Sequence, residues 1–314
     1  MESKSRSVLP FWGTATLCAV AWLVLWPSDA FAWTPGTHIL LGEAVLRTAA
    51  LLPPAIAALL RAHPQDFLYG SIAADTSIAK KYARFGRHCH SWAVGLEILE
   101  RAKDEPLQAF AFGYLAHLAA DAVAHNYFVP HQLAVTSSTT ALGHSYWESR
   151  FETHLSERYP ARAHDIIRLD HGRSDEHLDV ILSPTIFSTP TNRRIFRGMV
   201  VVTDSDSWQR VFSVLVENSR WDLEEPVVAG HLSRSYDFIM DFLSRDAKSE
   251  PFALDPSGDV ALRTAKQVRR GARRRGGEDA VREEATQQFG LPAATLPYAR
   301  ALTDPLYLPR SAKS

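Results

Sequence analysis

Cysteine is scarce in this chain, with only Cys18 and Cys89 among 314 residues. Cys18 lies in an N-terminal segment that we expect to be removed, so the remaining chain has one thiol and cannot close an internal disulfide. Stability in an oxidising compartment must therefore come from the hydrophobic core or from bound metals. An excess of charge of one sign is also missing, since 34 basic and 35 acidic residues leave a net charge of −1. This balance gives no strong bias towards nucleic acid or membranes.

No long stretch shows the strict alternation of apolar and polar residues that is typical of a β-strand. Apolar residues at three- and four-residue steps dominate instead, so we predict an all-α fold. The composition becomes charged and proline-containing beyond Arg245. The sequence therefore predicts one helical domain over residues 33–245 and a partly disordered C-terminal tail over residues 246–314. We interpret the arginine-rich stretch in that tail as solvated charge rather than as a contact with lipid or nucleic acid.

A long apolar run extends from Val8 to Trp26, and two basic residues precede it. The triplet Ala30-Phe31-Ala32 has the small-x-small form that signal peptidase cuts. We therefore predict a signal peptide over residues 1–32 and a mature chain that begins at Trp33. Such a protein is exported to the periplasm, the medium or the outer cell surface. An uncleaved membrane anchor is the alternative, because the apolar run is long for a signal core.

The segment Leu107–Phe128, LQAFAFGYLAHLAADAVAHNYF, has the apolar spacing of a buried helix, and we expect it to be too polar to span a membrane. It places His117, Asp121 and His125 at four-residue steps along one stripe. Successive side chains on such a stripe are about 6 Å apart along the axis, so the middle carboxylate can touch two ions while each histidine holds one. A two-metal site needs a shared ligand of this kind. The alternative is a buried helix with one ion pair and a hydrogen-bonded histidine.

Further candidate ligands flank this helix, although each alone is more often a turn residue or a surface group. They include a histidine close to the free amine expected at position 33, an aspartate in a small-residue loop, an HxH pair around the remaining cysteine, and a His–Glu pair with i, i+4 spacing. In chain order, the full set is Trp33, His38, Asp75, His88 or His90, His117, Asp121, His125, His144 and Glu148.

This ordered set resembles the zinc-dependent phospholipase C family and its relatives, the fungal single-strand-specific zinc nucleases and the N-terminal domain of glycosylphosphatidylinositol phospholipase D. In those proteins the mature N-terminal residue, often tryptophan, binds zinc through its amine and carbonyl. The likeness covers roughly Trp33 to Glu148. It implies a multi-helix domain of the phospholipase C or nuclease type, with a trinuclear zinc site between the helices.

The resemblance implies three zinc ions, two of which share the carboxylate of Asp121. Their ligands, carried over residue by residue, would be Trp33 (backbone amine and carbonyl), His38 and Asp121 for the first ion; Asp75, His117, Asp121 and either His88 or His90 for the second; and His125, His144 and Glu148 for the third. We favour His90 over His88 because its separation from Asp75 is closer to the spacing in the family.

The implied activity is that of a zinc-dependent phosphodiesterase, most simply a hydrolase of the phospholipase C type. Zinc lowers the pKa of bound water towards neutrality, so a hydroxide bridging two ions would attack phosphorus. Asp75 would act as a ligand and as a catalytic proton acceptor, and the third ion would stabilise charge on the phosphoryl oxygens. We expect a phospholipid or another phosphodiester as substrate, peripheral contact with a membrane, and no stable nucleic-acid partner.

Two alternatives stay open at this point. The short spacing between Trp33 and His38 is that of the zinc nucleases, so a single-strand nuclease or nucleotidase is one of them. Its aromatic platforms would be Tyr127, Tyr146 and Trp147, which suit either substrate. The other is a non-catalytic binding module that zinc holds together. A complete protein shell around every ion would favour the module, and an open, water-filled position would favour an enzyme.

Overall fold

The computed structural model describes residues 33–78, 80–83, 87–136, 140–203, 205–302 and 305–306. The expected signal peptide, residues 1–32, lies outside this part of the chain. The structure is 76% helical, and no β-strand occurs within the described residues. The predicted all-α fold is therefore confirmed.

Helices of ordinary length make up most of the described chain. They are α1 (Pro35–Arg47), α2 (Pro54–Ala62), α3 (Pro64–Ala73), α4 (Trp92–Glu100), α5 (Glu105–Val123), α6 (Val129–Thr136), α7 (Thr140–Glu152), α8 (Arg158–Ile167), α9 (Gly172–Ile181), α10 (Thr189–Thr203), α11 (Asp206–Glu217), α12 (Glu225–Arg245) and α13 (Asp259–Phe289). Short 3₁₀ turns cover Ala49–Leu51, Ala74–Thr76, Lys80–Tyr82, Asp246–Lys248, Pro251–Ala253 and Ala299–Ala301.

Helix α5 is the core helix of the domain. It begins at Glu105, because the side chain of Asp104 accepts a hydrogen bond from the backbone N–H of Leu107 (3.2 Å). Of its 19 residues, all but four are buried. The continuous helical segment 105–136 is long and apolar enough to cross a membrane, with a mean hydropathy of 1.2, but 89% of its most apolar stretch is buried inside the protein. The expectation that this segment is too polar to span a membrane is therefore wrong, and its burial, not its composition, identifies α5 as a core helix.

The stripe expected to continue unbroken to Phe128 is interrupted by a π-helical turn, Ala124–Phe128. Pro130 follows this turn, and because proline has no N–H it cannot donate to the carbonyl of Asn126 as an α-helix would require. Single π-helical turns of this kind are frequent at functional sites. The α-helical register therefore ends between Asp121 and His125, and the expectation of one continuous α-helix is wrong at this end.

Helices α3 and α5 cross with their backbones in direct contact. Gly70 lies against the carbonyl of Phe110 and Gly113 against the carbonyl of Phe67, and a Cβ at either glycine would overlap the facing oxygen. The absence of two side chains allows this approach. As a result Ser71, the residue after Gly70, comes within hydrogen-bonding reach of α5.

Residues 246–302, most of the segment for which the composition suggested a partly disordered tail, are largely helical; residues 303–304 and 307–314 lie outside the described residues. Helix α13 packs against α6, and it folds back on itself at Gly276 and Gly277, whose backbone angles are not helical. Arg269 pairs with Glu278 across this kink at 3.0 Å. The charges therefore compensate one another within the hairpin while a small apolar face is buried, which charge counting alone does not reveal. That face consists of Ala265, Ala272, Val281, Ala285 and Phe289.

Candidate metal centre

The structure brings eight of the predicted ligand side chains together in the interior, and none is more than 4% exposed. This excludes the interpretation of each as a surface group. They come from α1, the turn Ala74–Thr76, the segment before α4, α5, the π-helical turn and α7. They form two groups: the Asp121 cluster, consisting of His38, Asp75, His90, His117 and Asp121, and the His125 cluster, consisting of His125, His144 and Glu148.

The Asp121 carboxylate lies at the junction of the first group. Its Oδ1 is 3.2 Å from Nε2 of His38, and its Oδ2 is 2.9 Å from Nε2 of His90 and 3.0 Å from Nε2 of His117. Asp75 joins the same group, with Oδ1 at 3.3 Å from Nε2 of His90. The two oxygens of one carboxylate thus face different histidines, which is the arrangement required of a ligand shared by two ions.

A backbone carbonyl fixes the orientation of His117. The Nδ1–H of this ring donates to the carbonyl oxygen of Ser71 at 2.9 Å, which the close crossing of α3 and α5 makes possible. In the neutral ring the other nitrogen, Nε2, then carries a lone pair that points at the Asp121 carboxylate. Two acceptors at 3.0 Å repel each other unless a metal ion or a proton on Nε2 lies between them. The orientation of His117 is therefore the one that a metal ligand needs.

Lys80 is a member of this site that sequence reasoning missed. It is 5% exposed, and its Nζ donates to Oδ1 of Asp75 at 3.0 Å and lies 3.2 Å from Nε2 of His90. Although burial acts in the opposite direction, the Lys80 ammonium holds the pKa of Asp75 below its usual range. Asp75 is therefore ionised at neutral pH. The only signal in the sequence was a lysine pair shortly after Asp75, which resembles an ordinary solvated pair.

The His125 cluster is built from the π-helical turn and α7. His144 and Glu148 lie one turn apart on α7, with Nε2 and Oε1 at 2.7 Å, and the rings of His125 and His144 meet edge to face at 5.1 Å between centroids. The coordinating atoms of all three residues lie within 4.8 Å of one another. Nδ1–H of His125 donates to the carbonyl of Pro256 at 2.6 Å, which leaves its Nε2 free to coordinate.

Burial disfavours charge throughout the His125 cluster. It lowers the pKa of His125 to about 4 and that of His144 well below its ordinary value, and it raises the pKa of Glu148 well above its ordinary value. Both histidines are therefore neutral at neutral pH, as metal ligands must be. No lysine or arginine ion-pairs with Glu148 among the described residues.

The unpaired polar atoms provide a test of whether a metal fits. Within the described structure, several buried nitrogen and oxygen atoms of these residues face one another at 2.7–3.2 Å without a well-aligned hydrogen bond, which is costly unless another partner is present. Imidazole nitrogen and carboxylate oxygen are the donors that zinc takes in proteins. The donor set therefore fits zinc. The atoms are Nε2 of His38, Oδ2 of Asp75, both carboxylate oxygens of Asp121, Nε2 of His125, Nε2 of His144 and Oε1 of Glu148.

His90, rather than His88, belongs to the Asp121 cluster. His88 is half-buried, and its Nδ1 accepts a hydrogen bond from the backbone N–H of His90 at 3.1 Å. A ring nitrogen of each histidine and Sγ of Cys89 lie within 4.8 Å of one another, so His88 is near the site without contacting Asp121. Its role as a ligand stays a prediction.

Trp33 is fixed beside the Asp121 cluster by its side chain. Its indole N–H donates to the carbonyl of Ala120 (3.1 Å) and approaches the hydroxyl of Ser235 (3.2 Å), and its ring packs on Phe151 at 4.2 Å between centroids. Ala120 immediately precedes Asp121, so the Trp33 side chain is held against the turn of α5 that carries the shared carboxylate. Coordination through a free Trp33 amine depends on cleavage before this residue and stays a prediction.

Residues 37–184 match the model of a protein family described as zinc dependent phospholipase C. This segment, a little under half of the chain, is similar to the zinc-dependent phospholipase C family. The resemblance inferred from the ordered ligands is thus confirmed. The family segment contains both clusters, whereas Trp33 and Pro256 lie outside it. The comparisons with curated proteins and with solved structures gave no match.

One of the three aromatic side chains considered as platforms for a nucleotide or lipid substrate is not accessible. Trp147 is 1% exposed, and its indole N–H donates to the hydroxyl of Thr136 at 3.2 Å, so it belongs to the core. Tyr127 and Tyr146 are partly exposed and keep the role open. The expectation that Trp147 contacts substrate is therefore wrong.

Proposed function

We propose that this chain is an exported, zinc-dependent phosphodiesterase of the phospholipase C type that binds three zinc ions. The observation that carries the proposal is the set of buried, unpaired nitrogen and oxygen atoms in the Asp121 and His125 clusters. They lie inside a segment of the zinc-dependent phospholipase C family. Folded domains do not normally bury so many polar atoms without a hydrogen-bond partner unless a ligand satisfies them.

Most of these residues would bind metal, and Asp75 would bind metal or accept a proton. Asp121 and the three histidines around it would hold two ions, and the His125 cluster would hold the third. Zinc, when bound, supplies a Lewis acid that lowers the pKa of a coordinated water and draws charge from phosphoryl oxygens. Asp75 is ionised, and its Oδ2 makes no hydrogen bond in the described structure, so this oxygen is available as a ligand or as the proton acceptor.

The His125 cluster favours an enzyme over a purely structural zinc module. Structural zinc sites are closed by four protein donors, whereas catalytic sites keep one position for water or substrate. In the part of the chain that the structure describes, this cluster offers three donors. A zinc ion held by these three donors would keep one coordination position open for water or for an oxygen of a phosphodiester substrate.

Two measurements test the proposal in sequence. The first is the zinc content of the exported protein, purified without chelator, by elemental mass spectrometry; close to three ions per chain are expected. The second is hydrolysis of phosphatidylcholine vesicles, followed by the release of diacylglycerol and phosphocholine, with Asp75→Asn as the inactive control. Single-stranded DNA is tested in parallel. Release of nucleotides without lipid hydrolysis would show that the protein is a nuclease and not a phospholipase. Zinc binding without either activity would favour the binding module.

Export is tested separately by N-terminal sequencing of the protein recovered outside the cytoplasm. A mature chain that starts at Trp33 would make its amine available to the Asp121 cluster. If the exported protein still carried residues 1–32, Trp33 would have no free amine and would not be a ligand. The first ion would then be bound by side chains alone.

A further inference from the structure

A turn near the C-terminus, residues 255–258, packs directly on the π-helical turn that carries His125. Two successive backbone carbonyls of this turn accept hydrogen bonds from it. Nδ1–H of His125 donates to the carbonyl of Pro256 at 2.6 Å, and the amide of Asn126 donates to the carbonyl of Asp255 at 2.8 Å. The ring of one predicted metal ligand is therefore oriented by a segment 131 positions away in sequence.

Gly258 makes this approach possible. Its φ is +60°, a conformation that glycine adopts without steric cost. A Cβ built at Gly258 would overlap both Cβ and the carbonyl oxygen of His125. The position thus requires glycine for its backbone conformation and for the space that His125 occupies.

Hydrogen bonds within the turn, and from the helix that follows it, anchor the turn. The carboxylate of Asp255 accepts hydrogen bonds from the backbone N–H of Ser257 at 3.0 Å and from its hydroxyl at 2.7 Å. Helix α13 starts immediately after the turn, and Arg269 on this helix donates to the carbonyl of Ala134 in α6 at 2.8 Å. The carbonyl of Pro256 is therefore held in place from both sides.

We propose that the turn 255–258, which lies outside the zinc-dependent phospholipase C segment, is a positioning element for the third zinc ion. By accepting the Nδ1–H bond, Pro256 selects the tautomer of His125 and turns its Nε2 towards His144 and Glu148. Histidines that bind metal commonly donate their second nitrogen to such an acceptor, and loss of it costs about 10–100-fold in metal affinity. The inference rests on the proposed metal sites and is independent of the substrate.

The test compares two glycines that both have a positive φ. Gly277 has φ +72° and ψ −150°, a region that costs alanine more than the αL conformation of Gly258, and a Cβ added there would meet no atom within 4 Å. Gly277→Ala therefore strains the backbone at least as much as Gly258→Ala without touching His125. Zinc content and the affinity of the most weakly held ion are measured on the full chain by competition with a chelator. We expect Gly277→Ala to keep three ions and Gly258→Ala to lose one, with its affinity weakened by at least about tenfold.

A second variant adds no volume. Asn126→Ala removes the hydrogen bond to Asp255 and should weaken the same ion, by about tenfold or less. Thermal melts of all variants check that the fold is kept. Equal zinc binding by Gly258→Ala and Gly277→Ala, or loss of all three ions together in Gly258→Ala, would overturn the proposal. Fewer than three ions in the unmodified protein would instead reject the proposed function.

Discussion

The Asp121 cluster and the His125 cluster contain the same kinds of side chain but balance their charge in opposite ways. In the first, Asp75 and Asp121 are ionised, and the Lys80 ammonium and the histidines face them; burial opposes the charge, but these neighbours keep the pKa of both carboxyls low. In the second, burial is the largest influence: it lowers the pKa of both histidines and raises that of Glu148, and the nearby carboxylates of Asp75 and Asp121 add to the rise for Glu148. The two clusters, whose central residues Asp121 and His125 lie on consecutive turns of one helical segment, thus offer the same types of metal ligand but differ in the protonation state of their carboxyl groups.

This difference teaches that a buried ligand set can be prepared for a cation in two ways. The Asp121 cluster holds negative charge in advance and needs a countercharge whenever the metal is absent. The His125 cluster holds its carboxyl close to the neutral form, and the metal must displace a proton. The four predictions below test this contrast, from the largest expected effect to the smallest.

The largest effect is expected from Asp121→Asn. This change removes the charge that three histidines share, so two zinc ions should be lost together and turnover should fall by at least about 10³-fold. Elemental analysis and vesicle hydrolysis measure both. Asp241→Asn is the matched control, because Asp241 is equally buried but pairs with Arg245 away from the site. Full zinc content in Asp121→Asn would contradict the shared-ligand role.

Lys80→Met should separate the metal-free protein from the zinc-loaded one. Without metal, the loss of the ammonium leaves Asp75 buried and uncompensated, which destabilises the fold by about 3–5 kcal/mol. Zinc supplies the missing charge, so the loss should be much smaller in the loaded protein. Urea unfolding with chelator and with zinc gives the two values, and Lys266→Met at an exposed position is the control. An equal loss in both states would mean that Lys80 is not the countercharge.

Glu148→Gln is expected to remove only one ion. The amide cannot replace the carboxylate as a zinc ligand, but Asp121 and its histidines are untouched, so two ions should remain. Activity should fall by about 10²-fold, because one source of charge stabilisation is lost. Glu176→Gln, at an exposed position, is the control for the loss of a negative charge. Loss of more than one ion would show that the two clusters are not independent.

The affinity of the third ion should depend on pH. Since burial raises the pKa of Glu148, its proton competes with zinc at every pH below that raised value. Lowering the pH in this range should weaken binding by about tenfold per pH unit, because one proton is exchanged for the ion. Chelator competition from about pH 5 to pH 8 measures the slope. A flat profile across this range would show that Glu148 is already ionised without metal.

The metal ligands were predictable because they repeat at helical intervals. His117 and Asp121 share a turn of α5, and His144 and Glu148 share a turn of α7, so local spacing alone brings each pair to one face. The order of these residues along the chain then indicated the family. No comparable periodicity marks Lys80, whose side chain enters the site from a short 3₁₀ turn.

The contribution of the C-terminal region could not be predicted for a different reason. Pro256 acts through a backbone carbonyl, and every residue has one, so residue type carries no signal. The hairpin formed by α13 was also missed, because a run of arginines in the sequence suggested a solvent-exposed segment. Their partners, such as Glu278, become visible only when the chain folds back at Gly276 and Gly277.

The contact between Gly70 and Gly113 sets the dimensions of the site through the main chain. Where two bare backbones touch, no side chain can be exchanged to widen or narrow the gap. Mutations elsewhere in the core can therefore accumulate without changing the distance between Asp75, which follows α3, and Asp121 on α5. Attempts to give this protein a different metal preference should consequently begin with the identity of the ligands, because the spacing that receives the ion is fixed by peptide geometry.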